Sequence, residues 1–351
     1  MKVAMVAPPQ FGNAKRGTDF YSEGLVTSLR TLTDISVEMV PFQKSQTAYQ
    51  NFDLIHYPYF TPFFLTLPFL KSLKTVITVH DLIPFVFPQG FPVGPAGWLK
   101  WQVQKRLLLK SDAIICDSLS SKKDICRIIS YPSTKVFPIY LGIESDYQVI
   151  TDKKRLETVK KRYDLPDKFV LYVGDINYHK NILTLLGAFR NFLSTNKDYK
   201  LLLVGGAFLK PDLKEAQDIR QKISELDLSS NIKMLGFIPT TDLVCLYNLA
   251  MLYVHPAVYE GFGLTVLQAL ASGCVVVSGL GGSLAEIVDD AIIAADMTNS
   301  DNLTTKLSQA INLPDKIRDS YVKKGLEQTQ KFSWEKCAQE TYAVYKRILE
   351  A

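Results

Sequence analysis

The stretch Met251-Leu-Tyr-Val-His255-Pro256-Ala-Val-Tyr-Glu260-Gly261-Phe262-Gly263-Leu264-Thr265 runs from an apolar, β-rich segment through a turn into helix-forming residues that continue past Gln268 to Ser272. An apolar run of four or five residues bounded by turn residues is a buried strand, and a helical pattern after it completes half of a βαβ unit. The same order recurs outward in both directions. Toward the N-terminus lie candidate strands at Phe169–Val173, Lys200–Val204 and Ile232–Leu235, and beyond the stretch lie Cys274–Ser278 and Ala291–Ala294. The first half repeats the scheme with Val3–Ala7, Ile35–Val40, Leu54–His56, Thr75–Val79, Ala113–Cys116 and Val136–Ile139, separated by helical patterns at Tyr21–Leu32, Gly97–Lys110 and Ser120–Ser130. Alternation of this kind predicts two open parallel sheets in tandem, an α/β chain of two doubly wound, Rossmann-like domains.

The bulk numbers agree. A chain of 351 residues exceeds what one core usually fills, and 47% hydrophobic with 21% charged residues is a globular profile. Between the halves, Ser145–Lys168 lacks a strand pattern and carries Lys153-Lys154-Arg155 and Lys160-Lys161-Arg162 on what reads as an exposed helix. The expected domains are residues 1–150 and 151–332. A last helix over 333–351, capped by Ser333, has apolar Trp334, Ala338, Tyr342, Tyr345 and Ile348 at helical spacing and is expected to return to the first domain. A net charge of +5 suits small anionic ligands and falls short of a nucleic-acid binder, so no DNA or RNA partner is expected. The five scattered cysteines form no Cys-x-x-Cys pair and read as buried thiols in a reducing compartment. The N-terminal apolar run is too short for a signal peptide, and the uncharged stretch Leu54–Leu70 is interrupted by Pro58, Pro62 and Pro68, which argues against a membrane span.

In an open parallel sheet, ligands bind beyond the carboxyl ends of strands, so candidate residues must follow strands. After Phe169–Val173 come Gly174 and, past Asp175 and His179, Lys180-Asn181 at the start of a helix; a cation beside open helix amides suits a phosphate, although a surface lysine near a helix start reads the same way. After Met251–His255, Glu260 can hold sugar hydroxyls while the Phe262-Gly263-Leu264-Thr265 backbone meets a diphosphate; the bland alternative is a strand-to-helix turn with a solvated acid. After Thr75–Val79, His80-Asp81 offers a group that titrates near neutrality, against the commoner structural histidine. Gly12 and Gly17 flank the loop after the first strand, and Gly205-Gly206 follow Lys200–Val204; all four allow close backbone approach to a ligand.

Taken in order, Thr78-Val79-His80-Asp81-Leu82, Tyr172-Val-Gly174 with Lys180-Asn181, and Glu260-Gly-Phe-Gly-Leu264 with Ala269 and Gly273 resemble the retaining glycosyltransferases of family 4, which have the GT-B fold. The likeness extends over nearly the whole chain, including Gly142-Ile143 and Gly236-Phe237-Ile238. It implies two Rossmann-like domains facing across a cleft, a nucleotide diphosphate sugar on the C-terminal domain, an acceptor on the N-terminal one, and no essential metal or other cofactor. It further implies Glu260 at the donor sugar, Lys180 at the diphosphate, the Phe262–Thr265 amides at sugar and phosphate, and His80 beside the transferred hexose, with same-face attack and the leaving phosphate taking the acceptor's proton. Two departures stand out: Gln268 occupies the place of the family's second glutamate, which holds the ribose, and Asp175 and His179 stand where an arginine is common.

The implied reaction is transfer of a mannose-like hexose to a saccharide or lipid-linked saccharide, in cell-surface polysaccharide assembly. Trp98-Leu-Lys100-Trp101 with Lys105, Arg106 and Lys110 fits both peripheral contact with the inner face of a membrane and a scaffold helix of a cytoplasmic protein. Three competitors remain open at this stage. A non-catalytic nucleotide-sugar-binding subunit is motivated by Gln268, a nicotinamide-dependent dehydrogenase lacks its Gly-x-Gly-x-x-Gly turn, and a sugar epimerase would share the architecture.

Overall fold

A computed structural model describes residues 1–8 and 17–350. It divides into two compact units, Met1–Glu144 with Phe332–Ala351, and Ser145–Lys331.

The first unit contains β1 (Lys2–Val6), β2 (Ser36–Val40), β3 (Leu54–Tyr57), β4 (Lys74–Thr78), β5 (Ala113–Cys116) and β6 (Val136–Pro138), in the spatial order β2-β1-β3-β4-β5-β6. The second contains β7 (Phe169–Val173), β8 (Lys200–Val204), β9 (Ile232–Leu235), β10 (Leu252–His255), β11 (Val276–Ser278) and β12 (Ile293–Ala294), ordered β12-β11-β10-β7-β8-β9. Every pairing between these strands is parallel. Strands buried on both faces should read as continuous apolar runs, and β7 (Phe-Val-Leu-Tyr-Val) and β5 (Ala-Ile-Ile-Cys) are buried at every position. The expected strands are therefore all present: Ala113–Cys116, Phe169–Val173, Lys200–Val204 and Ile232–Leu235 keep the expected ends, and the others shift by one or two residues where the ladder runs into a turn.

Each order contains a point where successive connections leave in opposite directions, and a crevice opens there at the carboxyl ends of the strands. In the second unit that point lies between β7 and β10, so the turns after Val173 and His255 border it. In the first unit it lies between β1 and β3, with β4 next in line.

The segment expected to be an exposed linking helix forms one at Lys153–Arg162, where the Asp152 side chain caps the amides of Lys154 and Arg155. The helical pattern at Ser120–Ser130 is less regular than expected: an α-turn over Leu119–Asp124 widens into a π-turn over Ile125–Ile129 and stops at Ser130, whose φ is 62°. The terminal helix Trp334–Glu350 begins at Ser333, whose Oγ accepts from the Lys336 amide at 3.2 Å. It buries Trp334, Cys337, Ala338, Thr341, Val344, Tyr345 and Ile348 within the first unit. Its Trp334 ring lies against Gly24 of the helix Gly17–Leu29, so closely that a side chain at Gly24 would strike the indole. Of the helix Pro95–Leu108, Trp101, Gln104 and Leu108 are buried while Trp98 and Leu99 are exposed; it is both a scaffold helix and a carrier of surface apolar groups.

Candidate active site

At the switch point of the second unit, β7 and β10 deliver two turns that are stitched together. The Val258 amide donates to the His179 carbonyl at 2.9 Å, and the Asn181 side chain donates to the carbonyls of Pro256 at 3.3 Å and Met297 at 2.6 Å. Asn181 adopts a left-handed backbone (φ 55°), which asparagine tolerates better than most residues. Its amide is thus spent on holding loops, and Lys180 beside it is aimed by that frame.

Lys180 and Glu260, 80 residues apart in sequence, meet here. The Lys180 ammonium donates to Glu260 Oε1 at 2.5 Å, and His255 Nε2 lies 2.8 Å from the same oxygen. Oε2 takes no hydrogen bond among the described residues. His255 Nδ1 lies 3.0 Å from the Tyr253 hydroxyl. Because an ionised carboxylate only accepts, His255 carries a hydrogen on Nε2; Nδ1 of the neutral ring can then only accept, and the Tyr253 hydroxyl, 3.0 Å from Nδ1 and 3.3 Å from the Val173 carbonyl, shares its one hydrogen between them. In order, Tyr253 backs His255, and His255 and Lys180 both donate to Glu260 Oε1.

The electrostatics follow from that order. Burial pushes the Glu260 carboxyl up, but the Lys180 charge and the His255 hydrogen bond outweigh it and hold the group well below the usual carboxylate range. Burial lowers the His255 imidazole, and the attraction of Glu260 does not fully offset it, with Lys180 adding to the lowering. Burial likewise brings His179 down to about 4, with Lys180 as the next cause. The centre therefore holds one cation, one anion and two neutral imidazoles at pH 7.

The Glu260 turn is shaped by a second loop. Gly282 lies alongside Glu260, and the Ser283 amide donates to the Glu260 carbonyl at 3.0 Å while its Oγ donates to the Phe262 carbonyl at 2.7 Å. Gly282 has φ 67° and a Cβ there would run into the Glu260 carbonyl oxygen, so only glycine fits. Gly263 then starts the helix Leu264–Ala271, and the amides of Gly263, Leu264 and Thr265 donate to nothing among the described residues. Open amides at a helix N-terminus next to a lysine make an anion-binding corner.

The remaining sequence candidates fall as follows. Gly174 ends β7, and Gly205 packs on its carbonyl so tightly that a Cβ would strike the oxygen. Gly206 opens a 3-10 turn, Gly206–Leu209, with open space where a side chain would be. Phe262 is buried, and Gln268 is buried in the second turn of the helix. Asp175 caps its own turn by accepting from the Ile176 amide at 2.8 Å. Gly17 begins the helix Gly17–Leu29 of the first unit, and Gly12 lies outside the described residues.

His80 follows β4 in the first unit. Its Nδ1 lies 2.8 Å from Asp117 Oδ2, just past β5, and its Nε2 lies 3.1 Å from the Pro58 carbonyl, just past β3. Tyr21 stands edge-on to the ring at 4.8 Å. Tyr253 and Asp117, which partner the two histidines, and His255 itself were not among the site residues expected from the sequence. What signal existed was positional: each sits at the carboxyl end of a strand or two residues before it.

With this geometry in place, the comparisons with known proteins are direct. Residues 153–328 match the family described as "Glycosyl transferases group 1", and residues 24–147 match "Glycosyltransferase Family 4". The chain is 30% identical over 276 residues to the O-antigen chain mannosyltransferase B of Escherichia coli, covering 78% of this chain and 71% of that one. It is 27% identical over 283 residues to the serotype-specific mannosyltransferase WbdA of Escherichia coli, of which it spans 34%. Among solved structures, sucrose-phosphate synthase from Thermosynechococcus elongatus matches with a TM-score of 0.77 at 18% identity, covering 99% of each chain. Anabaena Alr3699/HepE in complex with UDP and glucose matches with a TM-score of 0.76 at 17% identity, again covering 99% of each. The chain has the GT-B fold and belongs to the family 4 glycosyltransferases, the glycosyl transferases group 1.

Proposed function

We propose that the protein moves a mannose-like hexose from a nucleotide diphosphate sugar to a saccharide or lipid-linked saccharide, with retention of configuration. The observation that carries the donor reading is the Lys180–Glu260–His255 cluster beside the open amides of Gly263, Leu264 and Thr265. An ammonium has three hydrogens, and Glu260 takes one of them; the others reach the diphosphate, with the helix amides alongside. Glu260, kept anionic, accepts from the hydroxyls of the sugar through Oε2. Gln268 serves the ribose as a neutral partner, and Gly205 and Gly206 let the nucleoside approach the backbone. The likeness to an O-antigen mannosyltransferase supports the sugar and the polysaccharide setting.

In this reading the acceptor hydroxyl attacks C1 of the hexose on the face that the phosphate leaves. The C1–O bond to the phosphate breaks, the new C1–O bond forms, and the leaving phosphate oxygen takes the hydroxyl proton. Charge grows on the diphosphate, and Lys180 with the helix amides stabilises it. No base from the protein and no metal is called upon in this scheme.

For the acceptor, the exposed Trp98 and Leu99, with exposed Phe64 under the Lys100 ammonium at 5.7 Å, combine apolar and basic groups suited to an anionic lipid surface. Among the described residues no helix is long and apolar enough to cross a membrane. Co-sedimentation with anionic vesicles at low salt should recover the protein, and a Trp98→Ala, Leu99→Ala pair should reduce that recovery.

The test of the donor reading is a thermal-shift series with nucleoside diphosphates and their sugars, since a ligand that binds only the folded state raises its melting point. A rise with at least one nucleoside diphosphate that disappears in Lys180→Met, followed by NMR of a product with the donor's anomeric configuration, is the expected result. Absence of any rise, or an inverted anomer, overturns it.

A further inference from the structure

The two ring nitrogens of His80 both face acceptors. Nδ1 meets Asp117 Oδ2 at 2.8 Å and Nε2 meets the Pro58 carbonyl at 3.1 Å. A peptide carbonyl has no hydrogen to give, and an ionised carboxylate has none, so each contact is a hydrogen bond only if the ring supplies the hydrogen. A neutral imidazole has one. With it on Nδ1, the Nε2 lone pair would point at the Pro58 oxygen; with it on Nε2, the Nδ1 lone pair would point at the carboxylate. Only the imidazolium satisfies both.

Asp117 completes the proton count. It is 4% exposed, and its Oδ1 is buried without a hydrogen-bond partner among the described residues. A hydrogen placed on Oδ1 would have nothing to receive it, and one on Oδ2 would point at the His80 Nδ1 lone pair, where an imidazole is ordinarily the stronger base and takes it, so the carboxylate is left ionised with His80 bonded to Oδ2. A buried carboxylate in that position needs a counter-charge at hand, and the imidazolium is the one in contact.

We propose that Asp117 is a positioning residue whose carboxylate keeps the His80 imidazole doubly protonated and pinned between the ends of β3 and β5, so that His80 serves transfer as a fixed cation and not as a base. The proposal rests on the glycosyl-transfer reading above. It deepens that reading by removing one route for the acceptor's proton: His80 has no lone pair to take it. What His80 offers to a substrate reaching the end of β4 is charge and shape.

The surroundings agree. Burial by itself lowers the His80 imidazole, but the Asp117 charge and hydrogen bond, then the Pro58 carbonyl and Asp81, outweigh it and raise the group above its ordinary value. From β3, His56 is held neutral at about 3, chiefly by burial and then by the charge of His80. From the helix Gly17–Leu29, Tyr21 stands edge-on with its hydroxyl bonded to Thr78, and burial pushes its ionisation well up. Near Asp117, burial likewise raises the thiols of Cys116 on β5 and Cys337 on the terminal helix, so neither adds charge. Ser121 Oγ donates to the His80 carbonyl at 2.9 Å and fixes its backbone without touching the ring.

The experiment is long-range proton–nitrogen NMR of the full chain, following the His80 ring nitrogens with pH in the wild type, Asp117→Asn and Asp117→Glu, alongside pH profiles of transfer. Expected are a wild-type His80 with both nitrogens protonated at pH 7, at least a tenfold loss of proton affinity in Asp117→Asn, and partial recovery in Asp117→Glu. The value of kcat should fall as pH rises through the His80 titration, and that limb should move to lower pH in Asp117→Asn with the donor KM little changed. A wild-type His80 that is neutral at pH 6.5, or a limb that does not move, overturns the proposal. Should Asp117→Asn fail to fold, the wild-type titration decides alone. A protein that folds and shows no transfer with any donor defeats the glycosyl-transfer reading, while the nitrogen shifts still decide whether Asp117 holds the second proton on His80.

Discussion

Each unit places a histidine 2.8 Å from a buried carboxylate at the carboxyl edge of its sheet, His80 with Asp117 in one and His255 with Glu260 in the other, and the two imidazoles are driven in opposite directions. The carboxylate contact is common to both, so it does not decide. The far side of the ring does. His80 turns its second nitrogen to a carbonyl, which can only accept, whereas His255 turns its second nitrogen to a tyrosine hydroxyl, which can donate. Charge balance adds to this: Asp117 has His80 as its bonded cation, while Glu260 already has Lys180. A histidine–carboxylate pair therefore has no fixed proton count; its second neighbours set it.

The sharpest way to break this contrast is to remove Lys180. In Lys180→Met, Glu260 keeps only His255, and the second pair should come to resemble the first. The His255 imidazole is expected to rise toward or above its ordinary value, read by NMR. Loss of one partner of a buried ion pair should cost the second unit about 3 kcal/mol, read by urea unfolding of that unit. Transfer should fall at least about a hundredfold, the range seen when a group stabilising transition-state charge is lost. A variant with unchanged His255 titration would mean that Lys180 is not what frees His255 from its proton.

The contrast also fixes the sign of two pH dependences. His80, raised in the folded state, contributes stability that is fully present below about 6.5 and lost as pH rises through its folded value. His255, lowered in the folded state, contributes stability that is present above about 6.5 and lost as pH falls toward its folded value, and His179, at about 4, has the same sign. The cost of His80→Gln should thus be larger at pH 5.5 than at pH 8, and that of His255→Gln larger at pH 8, each changing by about 1.4 kcal/mol for every unit of pKa displacement that falls between those two pH values. Hydrogen exchange of amides on β4 and β10 reads the two units separately. Equal slopes of the same sign would erase the distinction drawn between the pairs.

The sequence carried the fold because parallel strands buried on both faces leave uninterrupted apolar runs, as in Phe169–Val173 and Ala113–Cys116, and because turns and helices punctuate them. Lys180, Glu260 and His80 stood out as candidates for a related reason: in such sheets the loop after a strand is where a ligand can reach. What stayed hidden was the identity of their neighbours. His255 reads as the last residue of an apolar strand, and nothing local tells that Glu260 will fold back five residues later onto its Nε2. Asp117 comes 37 residues after His80, and their contact depends on β5 lying beside β4, a pairing that periodicity does not encode. At Asn181 the fold makes its own use of an expected donor-binding residue. It looked like a ligand group because it follows Lys180, yet its side chain is occupied with Pro256 and Met297.

A milder way to sharpen the comparison is Tyr253→Phe, which withdraws the donor from His255 Nδ1 and leaves the rest in place. The hydroxyl that meets both His255 Nδ1 and the Val173 carbonyl is lost, for a stability cost of about 1 kcal/mol. The His255 imidazole should become easier to protonate, since its second nitrogen no longer receives a hydrogen, and donor affinity should change less than in Lys180→Met. Calorimetric titration with the nucleoside diphosphate that gives the largest melting shift, together with the His255 nitrogen shifts, separates these effects. A Tyr253→Phe protein whose His255 titrates as in the wild type would show that Lys180 alone sets the proton count.

The smallest effect is expected at Gln268, where the family's second glutamate is an amide. The residue is 7% exposed in the second turn of the helix Leu264–Ala271. In Gln268→Glu a charged acceptor can bond two ribose hydroxyls more strongly than an amide, a gain of roughly 1 kcal/mol or more. Against it stands the cost of placing a second carboxylate in a buried helix turn that already serves the anion Glu260. The helix N-terminus and Lys180 temper that cost without cancelling it. The net should be a modest tightening, about threefold in Kd for the nucleoside diphosphate, since a factor of ten needs about 1.4 kcal/mol. A loosening of tenfold or more in a Gln268→Glu protein that folds normally would remove Gln268 from the ribose, and with it the reading of this helix as the floor of the donor site.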